Sequence, residues 1–158
     1  MKYLDGAARR YALARAETPS EPLAWLFSGT LHAFKGEGGP AVHAAERALE
    51  LSPLDPMRYF FESLTATAAL ADGQYERTIE HARRSLKLHR THTSTLRAMA
   101  IAQVQLGRLE EARETVRALM VLEPHLTISG YLDRSPSSGF ATGKLWSDSL
   151  AAAGVPAT

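Results

Sequence analysis

The sequence predicts an all-α fold built as a short helical-repeat solenoid, and three observations carry that prediction. Glycines recur at Gly36, Gly73 and Gly107, each after a run rich in alanine and leucine, at spacings of 37 and 34 residues. Three other columns keep the same register: Gly29, Ala66 and Ala100 before the turn, Ala41, Thr78 and Ala112 early in the next helix, and Ala48, Ser85 and Leu119 near its end. Apolar residues fall at helical spacing, as in Leu4, Ala7, Ala8 and Tyr11 or Tyr75, Ile79, Ala82 and Leu86, with no strand-like alternation beside them.

Each column has a physical reason. Glycine permits a tight turn between antiparallel helices, small residues let the helices approach, and proline past the last turn stops the second helix. Stepping back 34 residues from Pro53, Ala48 and Ala41 lands on Pro19, Ala14 and Ala7, so the chain starts inside a repeat, on a second helix. Periodicity and caps predict helices over 3–17, 22–35, 40–51, 56–71, 75–89, 94–106 and 109–122. The larger spacing falls at Asp55-Pro56, which reads as an N-cap and a first-turn proline, so the helix through Tyr59 and Phe60 is expected to be one turn longer and to protrude. Beyond Pro124 the period stops: a short helix over 127–134, a loop at 135–139 and a last helix over 140–153 are expected, ended by Gly154 and Pro156. Trp146, Leu150 and Ala153 share one face of that helix and are expected to cap the last repeat.

Trp25, Gly29, Gly36, Ala41, Ala48 and Pro53 occupy, in one unit, the signature columns of the tetratricopeptide repeat, which residues 4–126 resemble. The middle unit departs at Glu62, Thr78, Ser85 and Arg90, and the last at Leu96 and Leu109. The resemblance implies a right-handed alpha-alpha superhelix with a C-terminal capping helix, one domain over 1–158. It divides into a partial repeat (1–21), repeats at 22–55, 56–92 and 93–126, and a cap at 127–158. It also implies a protein-interaction scaffold in which the first helix of each pair lines a concave groove. Carried onto this chain, the groove columns are Leu26, Thr30, Ala33 and Phe34, then Phe60, Ser63, Thr67 and Leu70, then Arg97, Ile101, Val104 and Gln105. About half of these are expected to serve helix packing instead. The family's paired lysines and asparagines that clamp a C-terminal carboxylate have no counterpart, since the chain contains no asparagine. An amphipathic helix or internal segment is the expected ligand.

Composition narrows the function further. A formal charge of +1 gives no basic excess to draw nucleic acid or an anionic membrane, and the absence of cysteine excludes disulfides, thiolate metal sites and thiol nucleophiles. No apolar stretch is long enough for a signal core or a membrane span, so a soluble, cytoplasmic protein is expected. The Gly36–Ala41 run imitates a phosphate-binding turn, yet it follows a helix where a dinucleotide site needs a strand. His81, His89 and His92 form no metal-ligand motif, and the serines at 28, 63, 85, 94 and 135–138 no nucleophile pattern. Arg83, Lys87 and Arg90 make a basic helix stripe, read first as a solvated face that complements the helix dipole. The expectation is therefore no enzyme, no cofactor and no metal, with a protein or peptide as partner.

Two internal segments are similar to bacterial adenylate or guanylate cyclase-linked repeat tails: Leu51–Pro56 with Tyr59-Phe60-Phe61, and His92–Ala98 followed by Ile101-Ala102. Tyr131–Pro136, Gly143–Trp146 and Ala151–Pro156 resemble the extreme C-terminus of such proteins. The resemblance implies a regulatory repeat region whose catalytic cyclase domain lies elsewhere. The apolar face around Leu4 and Tyr11, lacking its first half-unit, is expected to be covered by upstream chain, another protein or a second copy in a homodimer.

Overall fold

The computed structural model describes residues 2–158, with side chains from Leu4 onward. All regular structure among the described residues is helical: α1 (Lys2–Glu17), α2 (Pro22–Lys35), α3 (Gly38–Leu51), α4 (Arg58–Ala71), α5 (Tyr75–Leu88), α6 (Thr93–Gln105), α7 (Leu109–Leu122), α8 (Ile128–Arg134) and α9 (Ala141–Ala152). The helices pair as α2–α3, α4–α5 and α6–α7, the first members stack as α2–α4–α6, and α1 packs on α2.

The repeat is reproduced bond by bond at its turns. Gly36, Gly73 and Gly107 have φ of 79°, 71° and 74°, a left-handed conformation that only glycine enters without steric cost. At each turn two amides return to the preceding helix: Gly36 N to Ala33 O and Glu37 N to His32 O, Gly73 N to Leu70 O and Gln74 N to Ala69 O, Gly107 N to Val104 O and Arg108 N to Gln103 O. These bonds satisfy carbonyls that a helix end leaves without partners. Within the first pair, a Cβ on Gly29 would lie 2.9 Å from Ala41 O and 3.2 Å from Ala45 N, so α2 and α3 meet backbone to backbone at that point.

One expected element differs. α4 begins at Arg58 and is no longer than α2, α3 or α5. The Asp55 carboxylate accepts from Met57 N at 2.7 Å and its carbonyl from Arg58 N at 3.0 Å, which folds residues 55–58 into a turn before the helix starts. The three extra residues therefore lengthen the linker, and α4 gains no extra turn. Asp55-Pro56 suits a turn as well as a helix start, and the turn wins.

The three pairs are held differently. The α2–α3 seam is closed by small buried residues, Gly29, Ala41, Ala45 and Ala48. The α6–α7 seam carries bulk: Leu96, Ile101, Val116 and Leu119 belong to the largest apolar cluster. Between α4 and α5 buried polar contacts stand beside apolar ones such as Leu70 and Ile79. Glu62 accepts from Arg58 Nε at 3.1 Å and pairs with His81 Nδ1 at 2.7 Å, while Ser85 Oγ donates to Tyr59 O at 2.7 Å and lies 3.0 Å from Thr95 Oγ1.

The expected cap forms, but not end-on. Trp146, Leu150 and Ala153 are buried in the cluster of α6 and α7. α9 lies against α6 and α8 and extends back to α2, so it crosses the inner face of the stack. On α7, Val121 remains 81% exposed. Ile128 N bonds Pro156 O at 2.9 Å and Ser129 N bonds Ala157 O at 3.1 Å, which fixes the last residues beside α8.

Candidate protein-interaction groove

The inner face of α2, α4 and α6 is divided by the chain itself. At the C-terminal ends of these helices α9 fills the concavity: the rings of Phe34 and Trp146 meet edge to face at 6.5 Å, and Gln105 Nε2 donates to Ser149 Oγ at 2.9 Å. Toward the N-terminal ends the face stays open. Between the two regions lies a cavity of about 380 Å³, walled by α4 and α6 on one side and by α8, the 135–136 loop and Trp146 on the other.

The groove residues expected from the repeat columns separate into three groups. Leu26, Ser63 and Ile101 are fully or almost fully buried between helices, as are Ala33 and Leu70. Of these, Leu70 and Ile101 still wall the cavity with one edge. Phe34, Thr67 and Arg97 line the cavity and are half-buried. Thr30, Phe60, Val104 and Gln105 are half-buried outside it; the Thr30 hydroxyl donates to Leu26 O at 2.9 Å, and Gln105 is committed to α9. Leu64, Glu123, Leu126, Tyr131, Arg134 and Trp146 also line the cavity. Leu64 falls between two groove columns, Glu123 and Leu126 at the end of the last repeat, and Tyr131, Arg134 and Trp146 outside the period, so spacing carries no sign of them as lining.

On the open side, aromatic rings run across the stack. Tyr11 lies 5.7 Å from Phe27, Phe27 lies 6.3 Å from Phe60, and Phe60 lies 6.3 Å from His92, each half-buried. Burial and the neighbouring charges of His89 and Arg97 push the His92 pKa down.

The cavity rim is charged. Arg97 Nη1 meets both oxygens of Glu123 at 2.9 Å, and its Nη2 donates to Ser94 Oγ at 3.1 Å. Burial acts to raise the Glu123 pKa, but hydrogen bonds from Thr93 and Arg97 and the charges of Arg97 and Arg134 outweigh it and hold the carboxylate below its ordinary range. Burial raises the Tyr131 phenol above its ordinary value.

The remaining sequence candidates are scattered. Gly36 is the αL cap of α2, with Thr142 of α9 lying against it. Arg83, Lys87 and Arg90 are exposed, His81 lies in the buried pair with Glu62, and His89 stacks with Tyr59 at 4.5 Å. Among the described residues no group of three His, Asp or Glu side chains is placed to hold a metal ion, and no helix is long and apolar enough to cross a membrane.

Residues 38–119, more than half of the chain, match the model of the family described as anaphase-promoting complex, cyclosome, subunit 3. The chain belongs to that family. It is a tetratricopeptide-repeat family, and the match runs from the start of α3 into the last turn of α7, leaving α9 and most of the groove's C-terminal wall outside it. Solved structures agree on the fold. A crystal structure of MamA superposes with a TM-score of 0.66 at 16% identity, covering 95% of this chain and 86% of that one. The first tetratricopeptide domain of human RPAP3 gives 0.60 at 18% identity, covering 85% and 96%. YrrB, described as a tetratricopeptide protein with an unusual peptide-binding site, gives 0.60 at 17% identity, covering 96% and 77%. At these identities the likeness establishes the fold, an all-α repeat solenoid. No curated protein sequence matches the chain.

Proposed function

We propose that this chain is a non-catalytic interaction module that holds a protein or peptide partner along its inner face. The observation that carries the reading is the open strip of half-buried rings from Tyr11 through Phe27 to Phe60, which lies on the stacked inner helices beside a cavity and is not covered by α9. Rigid aromatic surface of this kind supplies binding area at small entropic cost. A photo-crosslinking residue at Phe60 or Thr67 is expected to capture the partner in cells, and one at Glu80 on the exposed side of α5 is not. Equal capture at all three positions, or none at Phe60 and Thr67, would end the proposal.

In this reading residues 1–21, 22–55, 56–92, 93–126 and 127–158 act as half-unit, three repeats and cap of one domain in the cytoplasm. The cyclase-like segments at 51–61 and 92–102 support placing it as the C-terminal regulatory region of a bacterial cyclase-like signalling protein. An upstream reading frame without a cyclase domain would remove that context.

A second reading rests on α1. Tyr11, expected on the uncovered face with Leu4, packs against Phe27 of α2 instead, and the large apolar side chain that α1 exposes is Leu13, at 62%. Two copies packed through these faces would form a symmetric dimer. Light scattering is expected to show a dimer that Leu13→Glu converts to a monomer; a monomer at every concentration rejects it.

A further inference from the structure

α1 is held to the stack chiefly by α2, and the two helices do not close completely on each other. A cavity of about 280 Å³ remains between them. Arg9 and Arg15 line it from α1, and Ser28, His32 and Lys35 from α2, with apolar side chains between. Every ionisable side chain in that lining is basic.

Two of the four basic groups have partners and two do not. Lys35 Nζ meets Asp5 at 3.0 Å and His32 pairs with Glu37, but neither carboxylate lines the cavity. Among the described residues no carboxylate lies within ion-pair distance of Arg9 or Arg15. The Asp5 carboxyl is held below its ordinary range first by the hydrogen bond and charge of Lys35 and only last by Arg9, so the Arg9 charge is not spent there. Arg15 is fixed in place: its guanidinium carbon lies 4.8 Å from the centre of the Trp25 ring. Its Nε is buried with no hydrogen-bond partner. A donor sealed from water without an acceptor is a cost that folding does not ordinarily leave standing, and the cavity beside it is where an acceptor can enter. The start of α1 lies beside the end of α2, so the partial charges of the two helix ends oppose and leave the side chains to set the local field.

We infer that this cavity binds a phosphate monoester, whose oxygens accept from Arg9 and Arg15 on one helix and from Lys35 on the other. Donors converging from two helices suit a doubly charged group with three acceptor oxygens better than a single carboxylate. The site shares no residue with the inner-face groove, so it stands or falls apart from the partner reading. A group bridging α1 and α2 also fastens the half-repeat to the stack.

The test uses the full chain at pH 7.5 and constant ionic strength, with inorganic phosphate, N-acetylphosphoserine amide, adenosine monophosphate and acetate as probes. With a Kd of about 1 mM, each phosphate probe at about 10 mM is expected to raise the melting temperature by about 3 °C and to slow amide exchange in α1. NMR shifts are expected at Arg15 Nε and the Ser28 amide. The rise is expected to vanish in Arg15→Gln, to need about threefold more ligand in Arg9→Gln, and to persist in Arg84→Gln on the exposed side of α5. Each variant is compared with itself without ligand, so loss of the Arg15–Trp25 contact drops out; if Arg15→Gln does not fold, Arg9→Gln carries the test. Tighter binding of phosphoserine or of the nucleotide names the source of the phosphate, and equal binding shows that the phosphate alone is read; all three support the site. An equal response to acetate, no response to any phosphate probe, or an equal loss in Arg84→Gln would overturn it.

Discussion

The second and third repeats share one helical geometry and differ in the chemistry of two buried columns. Where the third has Leu96 and Leu119, the second has Glu62 and Ser85 in the same columns, and both sets are buried. The third repeat gains from removing apolar area from water, and α9 adds to it through Leu150 and Trp146. The second buries Leu70, Ile79 and Phe61 too, but in these columns it relies on partners meeting: Glu62 with Arg58 and His81, Ser85 with Tyr59 O and Thr95. A satisfied polar seam contributes little beyond its alternatives and costs heavily when one member is lost, whereas an apolar seam loses stability in proportion to what is removed. The fold therefore fixes the positions, and the sequence is free to choose the force.

The largest expected effect comes from giving the third repeat the second repeat's residue. Leu119→Ser removes a fully buried side chain with no partner for the new hydroxyl and is expected to cost about 3 to 4 kcal/mol, read as a lower denaturant midpoint at unchanged slope. A cost below about 1 kcal/mol would show that the two seams are interchangeable.

The second effect separates the seams by pH. Burial acts to raise the Glu62 pKa, but the hydrogen bond from His81, its charge and the charge of Arg58 outweigh it, so the folded pKa lies below the ordinary glutamate value. The stabilisation is then fully present above the unfolded pKa, about 4.3, and is lost as pH falls through the lower folded value. Wild type is expected to lose stability in acid below about pH 4, and Glu62→Leu with His81→Leu to lose less over the same range. His81→Leu alone, which strands a buried carboxylate on Arg58, is expected to cost about 2 kcal/mol at pH 7. Parallel acid profiles for wild type and the double variant would remove the pair as the source.

The smallest effect has the opposite sign. Ser63 Oγ is buried without a hydrogen-bond partner, and the nearby Tyr59 carbonyl is taken by Ser85. Ser63→Ala is expected to stabilise the chain by about 1 kcal/mol, seen as a higher melting temperature. A loss of stability would mean that the hydroxyl is satisfied in solution.

The sequence disclosed what repeats and hid what does not. α2 and α7 fall at the residues expected, because a proline or capped start and a glycine turn fix both ends of the first, and apolar spacing those of the second. The start of α4 was misread because an aspartate before proline caps a turn and a helix with the same atoms. Glu62 and His81 stand 19 residues apart, and no local pattern announces that they meet. The groove was harder for a geometric reason. Columns such as Leu26, Ser63 and Ile101 lie on the edge between the inner face and the next helix, and a spacing argument does not tell those two directions apart. Gln105 and Phe34 were placed on the inner face, but their neighbour there is α9, which period alone could not locate.

The contact between Phe34 and Trp146 changes how the molecule comes apart. In an open solenoid each repeat touches only its neighbours, so unfolding can begin by fraying at either end and creep inward. Here a ring near one terminus of the chain rests on a ring near the other, and the first repeat loses a neighbour whenever the last segment lets go. The two ends are thereby coupled into one cooperative transition, and folding waits on a contact of very high sequence separation.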